Sequence, residues 1–154
     1  MPTLYVLVGV PGSGKSTWIN AQDWAKDCAI VSTDQYVEAY ARSVNKTYSE
    51  VFKEFMPKAV DLMAQAVVDA RSARRDIIWD QTSVTLSSRK KKFVMLPDYR
   101  KIAVVFRTPE TTELDRRLKS RPGKDIPAEV VQQMIDNYDP PTEDEGFDEI
   151  WYAV

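Results

Sequence analysis

The stretch GVPGSGKST, residues 9–17, constrains this chain more than any other. It fills the pattern G-x-x-x-x-G-K-[ST] with Gly9, Gly14, Lys15 and Ser16. The apolar run 4–8 before it reads as a buried strand, and the segment 16–26 after it suits a helix. Strand, glycine loop and helix in that order are what a phosphate-binding loop requires. Backbone N–H groups of such a loop, here through Gly12, Ser13, Gly14 and Thr17, turn inward to wrap a β-phosphate. Gly12 and Gly14 allow backbone angles that a side chain would forbid. The helix directs its positive end at the anion. Lys15 adds a point charge for the β- and γ-phosphates, and the Ser16 hydroxyl is a candidate Mg²⁺ ligand.

The rest of the chain alternates in the same way. Residues 4–8, 28–32, 77–79, 102–106 and 150–154 read as strands. Residues 16–26, 34–42, 48–73, 87–96, 109–120 and 127–137 read as helices. In the long helix, Phe52, Phe55, Ala59, Leu62, Met63, Ala66, Val67 and Ala70 fall at helical spacing and read as core. Alternation of this kind predicts an α/β fold: a mostly parallel five-stranded sheet with helices on both faces, in one domain spanning 1–154.

Parallel α/β sheets bind ligands beyond the C-terminal ends of their strands. The second predicted strand runs into Ser32-Thr33-Asp34, and the third into Asp80-Gln81-Thr82. Two carboxylates therefore belong to the rim that carries the glycine loop. Asp80, after Ile77-Ile78-Trp79, resembles a Walker B acid that reaches Mg²⁺, or else caps the next helix. Asp34 is either an N-cap or a general base that takes a proton from an acceptor hydroxyl. The chain has no histidine, so a carboxylate is the default base.

Between the last two predicted helices lies KSRPGKDI, residues 119–126, within a cluster of Arg116, Arg117, Lys119, Arg121 and Lys124. It is either an ordinary basic loop or a lid. A lid bearing Arg121 would exclude water and supply charge to a transferring phosphoryl group.

The net charge of −2 argues against broad nonspecific binding to nucleic acid. The charge is unevenly spread, however. Residues 71–101 hold nine Lys/Arg against three Asp, and residues 139–150 hold six acidic residues and no basic one. Arg89-Lys90-Lys91-Lys92 reads either as a solvated helix face or as part of a basic surface. No run of the sequence is long and apolar enough for a membrane span, no signal-peptide pattern appears, and the single Cys28 sits in an apolar run as a buried free thiol. A reducing cytoplasm is the expected setting.

Taken together, the chain resembles the 5′-kinase domain of phage and animal polynucleotide kinases. The resemblance runs over its whole length. It rests on Gly9 to Trp18, on Thr33-Asp34, on Asp80-Gln81-Thr82, on a basic lid with a proline opening the next helix, Arg117 to Pro127, and on Pro141-Thr142-Glu143-Asp144-Glu145-Gly146-Phe147-Asp148-Glu149-Ile150. It implies ATP and Mg²⁺ as cofactors and the 5′ end of a nucleic acid as substrate. It also implies Asp34 as general base, Arg121 as a phosphate contact, and Arg117 beside the adenine, with the lid at about 117–126. The chain departs from the family at Ser32-Thr33, where Asn/Ser-Arg is usual. It departs again at Val37, where the phage form has an arginine that holds the acceptor's phosphate.

The expectation is a P-loop kinase that moves the γ-phosphate of ATP to a hydroxyl, with a DNA or RNA 5′-OH as the leading acceptor. A kinase for a nucleoside, sugar, antibiotic or modified-base hydroxyl keeps the same chemistry. A nucleotide-dependent switch without an acceptor is the alternative from another class.

Overall fold

In the computed structural model, which describes residues 1–153, five strands form one sheet. They are β1 (Thr3–Val8), β2 (Ala29–Val31), β3 (Ile77–Trp79), β4 (Arg100–Val105) and β5 (Glu149–Tyr152). Their spatial order is β2-β3-β1-β4-β5, and every neighbouring pair is parallel. The strand carrying the glycine loop is therefore central, with β3 on one side and β4 on the other. The expected α/β fold with a five-stranded parallel sheet is the one found.

Six α-helices connect the strands: α1 (Lys15–Ala21), α2 (Asp34–Ser43), α3 (Tyr48–Ser72), α4 (Leu86–Met95), α5 (Thr111–Lys119) and α6 (Ala128–Asp136). Successive residues of β1 face opposite sides of the sheet. Leu4, Val6 and Val8 join Val67, Ala70, Ile77, Trp79 and Leu96 in the core that α3 and α4 cover. Leu7 joins Ile19, Ala25, Cys28, Ile78, Val104 and Phe106 on the other face. Cys28 is a buried free thiol there, and burial pushes its pKa up to about 11.

Most element boundaries differ from the sequence reading by one or two residues, as at β4, which begins at Arg100 rather than Ile102. The helix predicted over 16–26 ends at Ala21; Gln22 breaks it in an extended conformation, and a 3₁₀ turn, Asp23–Asp27, completes the crossover to β2. The strand predicted over 150–154 begins one residue earlier, at Glu149, and Val154 lies outside the described residues.

The basic run 71–101 is also not what its composition suggests. Arg89 is fully buried and pairs with Glu145 through Nε at 2.6 Å and Nη2 at 3.1 Å, while its Nη1 donates to the Ser83 carbonyl. Lys92, one turn on, is buried with its ammonium 5.3 Å from the Trp79 ring centroid. Arg71 and Arg74 pair with Asp98, and Arg100 with Glu149. A solvated face describes only Lys90 and Lys91 of the 89–92 run.

The acidic run 139–150 is the structural counterpart of that basic run. Glu145 also accepts from the Thr142 N–H, Asp139 accepts from the Leu86 N–H, and Asp148 from the Lys101 N–H. Phe147 packs edge-on against Phe93 with centroids 5.0 Å apart. These contacts fasten the C-terminal strand to α4 and β4.

Candidate active site

The C-terminal ends of β1, β2 and β3 open into one cleft of about 1960 Å³. Gly12, Ser13, Gly14, Lys15, Ser16 and Thr17 line it, as do Asp34, Asp80, Arg117 and Arg121. Every residue singled out as a site candidate thus borders the same space. None of the nine basic residues of 71–101 does; the cations that line it are Lys15, Arg107, Arg116, Arg117, Arg121 and Lys124.

The loop has the backbone its glycines predict. Gly12 at φ 82° and Gly14 at φ 102° occupy the left-handed region, where a side chain is strained. Helix α1 starts at Lys15 with no side-chain cap and no acid in its first turn, so its first amides are left for an anion. Lys15 folds back and donates to the Gly9 and Val10 carbonyls, each at 2.9 Å. Burial, together with the Arg121 and Lys124 charges and against those of Asp80 and Asp34, lowers its pKa to about 8.

Asp80 directly follows β3. Its backbone N–H donates to the Val31 carbonyl at 2.8 Å, which locks the rim between β2 and β3. Burial raises the pKa of its carboxyl, opposed by Lys15 and assisted by Asp34. Among the described residues this carboxylate has no ion-pair partner, and the buried Ser13 Oγ has no hydrogen-bond partner. Open space surrounds the point where a Cβ on Gly14 would lie. These features suit Mg²⁺ with a polyphosphate, because Mg²⁺ takes one or two protein oxygens and completes its shell with phosphate and water.

Asp34 is the first residue of α2, and capping does not account for it. The N-cap is Thr33, and the Gln35 N–H is met by Ser32 Oγ at 3.4 Å. Both Asp34 oxygens are used elsewhere. Oδ1 accepts from the Tyr48 hydroxyl at 2.6 Å, and Oδ2 accepts from Lys124 Nζ at 2.9 Å. Burial works to raise its pKa; the Tyr48 and Lys124 hydrogen bonds and the Lys124 and Arg121 charges outweigh it and hold the carboxyl below its ordinary value.

Neither Tyr48 nor Lys124 emerged as a site residue from the sequence. Tyr48 opens α3 just after the Thr47/Glu50 capping box, and its hydroxyl reaches back to the end of β2. Lys124 was one of several similar cations in a basic loop. Its ammonium also lies 3.6 Å from Glu38 and 4.4 Å from the Tyr48 ring centroid.

The loop that carries Lys124 is docked rather than free. The Ser49 N–H donates to the Gly123 carbonyl at 3.0 Å, and the Asp125 N–H donates to Ser49 Oγ at 2.8 Å. At its other end, Arg117 spans Glu113 and the Gly12 carbonyl, with bonds of 2.8 and 2.9 Å. The segment thus bridges the glycine loop and the start of α3. Arg121 lies between those anchors and has no ion-pair partner among the described residues.

A family profile for an AAA domain, AAA_33, matches residues 4–141, from β1 to the start of the C-terminal signature. This chain belongs to that AAA domain family. Its members' P-loop kinase-like fold is what the sheet order and the glycine loop display here. The chain is similar to heterogeneous nuclear ribonucleoprotein U-like protein 2 of Mus musculus, 28% identical over 160 residues, and of Homo sapiens, 29% over 163. Each alignment covers 96% of this chain, which spans about a fifth (21%) of the length of those relatives.

Solved structures show the same fold for this AAA domain. A candidate kinase from Chloroflexus aurantiacus j-10-fl superposes with a TM-score of 0.71 at 16% identity, over 99% of this chain and 84% of that one. A chain of the Pnkp1/Rnl/Hen1 RNA repair complex gives 0.64 at 24% identity, over 88% and 43%. A gluconokinase from Sinorhizobium meliloti 1021 gives 0.55 at 18%, over 98% and 81%. Among the described residues no helix is long and apolar enough to cross a membrane.

Proposed function

We propose that this AAA domain acts as one kinase domain, with residues 117–126 as its lid, and transfers the γ-phosphate of ATP to the 5′-hydroxyl of a DNA or RNA strand. The carrying observation is the Asp34 carboxylate. It stands at the phosphate rim, does not cap its helix, and is held through both oxygens by Tyr48 and Lys124. A nucleotide switch has no need of a carboxylate so fixed; a phosphotransferase needs it to receive a proton.

Asp34 accepts the proton of the acceptor hydroxyl as the oxygen becomes a nucleophile. Tyr48 and Lys124 orient the carboxylate, and an incoming hydroxyl takes one of its remaining lone pairs. Lys15 and Arg121 carry positive charge to the group being transferred, where preorganised charge acts most strongly. Arg117, tied to the Gly12 carbonyl, would lie beside the adenine. The lid, docked on Ser49, borders the same cleft, where closing over bound substrates would exclude water. Ser16 and Asp80 would hold Mg²⁺, which when bound neutralises charge across the β- and γ-phosphates.

Support for a nucleic-acid acceptor comes from the whole-chain resemblance to polynucleotide 5′-kinases. The ribonucleoprotein relatives and the RNA repair complex among the fold neighbours agree with it. One observation favours a small-molecule acceptor instead. Val37 is fully buried with Ala41, Val51 and Ala59, so α2 offers no cation there to an acceptor phosphate. The test is a comparison of 5′-OH oligonucleotides, free nucleosides and sugar acids with γ-labelled ATP. A strand acceptor predicts labelled 5′ ends and activity that falls steeply with salt as phosphate contacts are screened. A labelled nucleoside or sugar acid with inert strands transfers the reading to the small-molecule class.

A further inference from the structure

The acceptor side of the cleft has its own chemistry. The residues of α2 and α3 that line it are Asp34, Tyr48, Ser49, Phe52 and Met56. None carries a positive charge. The polar groups of this wall are the Asp34 carboxylate, the Tyr48 hydroxyl, which donates to it, and Ser49 Oγ, which accepts from the Asp125 N–H. Phe52, which its helical spacing assigned to the core, is instead 42% exposed, and the neighbouring Val51 is the buried residue. Its ring centroid lies 5.5 Å from that of Tyr48. Lys124 covers a face of Tyr48, which leaves Phe52 as the open aromatic surface.

We propose that Phe52, flanked by Tyr48 and Met56, is the platform on which the base of the acceptor's terminal nucleoside stacks. This deepens the kinase reading above and rests on it. The link is continuity: Tyr48 touches both the Phe52 ring and the Asp34 carboxylate, so a hydroxyl delivered to Asp34 brings the body that bears it over these rings. Recognition of a sugar acid draws on several hydrogen-bonding side chains and a cation, and the α2 and α3 residues of this wall supply no cation. A flat heterocycle needs only an aromatic face, and every base has one. The platform therefore selects for a nucleobase without selecting which base.

The test compares two 5′-OH strands, one with an ordinary terminal nucleoside and one with an abasic terminal residue. Stacking on one aromatic predicts that the wild type favours the intact strand by about 5- to 150-fold in KM. Phe52→Ala should lose most of that preference while keeping kcat at saturation and KM for ATP; Phe52→Trp should retain it. Because Phe52 is exposed, the alanine variant should fold, which a thermal melt checks. Binding of a fluorescent strand without ATP gives a second readout, and Phe52→Ala should weaken it at least fivefold. An abasic preference that survives Phe52→Ala, or a wild type indifferent to the missing base, overturns the platform. If strands are inert but nucleosides are phosphorylated with a KM that depends on Phe52, the platform stands and the strand reading falls. If only ring-free sugars or acids accept phosphate, both fall. If nothing is phosphorylated and the Phe52 variants bind strands like the wild type, the platform is likewise overturned.

Discussion

Lys124 and Asp34 lie 90 residues apart in the chain and meet through a 2.9 Å ion pair. That contact joins the basic loop to the end of β2 and sets the loop against the carboxylate proposed as general base. Removing the cation should lower transfer more than ATP binding. Lys124→Ala is expected to reduce kcat about tenfold or more, since hydrogen bonds to charged groups are worth about 1.5–3 kcal/mol. Tyr48→Phe, which keeps the ring and loses only the hydroxyl bond, should show a fall of similar order with an unchanged acceptor KM. Steady-state kinetics on both variants checks this, and wild-type kcat in either would mean that Asp34 is held well enough without it.

Asp34→Asn should fold, bind nucleotide and transfer poorly. The amide keeps the side chain's shape but cannot take a proton, and loss of a general base costs about 10² to 10⁴ in rate. Arg121→Ala should likewise cut rate more than nucleotide affinity, by about 10³ to 10⁵ if it acts as arginine fingers do. Nucleotide titration beside single-turnover rates separates binding from chemistry in both.

Glu145→Ala should be strongly destabilising. It leaves the fully buried Arg89 guanidinium without its carboxylate, which typically costs about 3–5 kcal/mol. Replacing both partners with apolar residues of similar size should recover much of the loss. Urea melts of the single and double variants measure it, and a single variant within about 1 kcal/mol of wild type would contradict the buried pair's role.

Lys92 predicts a pH effect of definite sign. Burial, with the neighbouring Arg89 and Lys91 charges, lowers its folded pKa to about 8. Its unfolded pKa is near the ordinary value of about 10.4. Between these values the unfolded chain binds more protons, so this group's contribution to stability rises with pH across that window. From pH 7 to pH 10 the wild type should gain about 2 kcal/mol relative to Lys92→Met. Denaturation midpoints at the two pH values give the number, and an unchanged difference would show that Lys92 does not lose its proton early.

The parts of the site legible in the sequence are those fixed by local geometry. The glycine loop, its strand and its helix are contiguous, and Asp34 and Asp80 follow from strand ends in a parallel sheet. The parts that were not legible depend on long-range contacts. Tyr48 reads as the first residue of an apolar helix, and only the packing of α3 beside β2 brings its hydroxyl to Asp34. Lys124 was indistinguishable from Arg116, Lys119 and Arg121 until the loop docked on Ser49. Arg89 was hidden in a basic run, although its spacing of three from Lys92 sets both on one helix face. The lone signal for its partner was the acidic C-terminal signature, whose Glu145 proves to be the other half of the pair.

Label transfer from the γ-phosphate of ATP to a short 5′-OH oligonucleotide, at low salt with Mg²⁺, tests the central claim most directly. The account predicts label on the 5′ end with the wild type, none with Lys15→Ala, and a rate reduced by about 10² or more with Asp34→Asn. Label that appears only as free phosphate, at the same rate in wild type and Asp34→Asn, would contradict it.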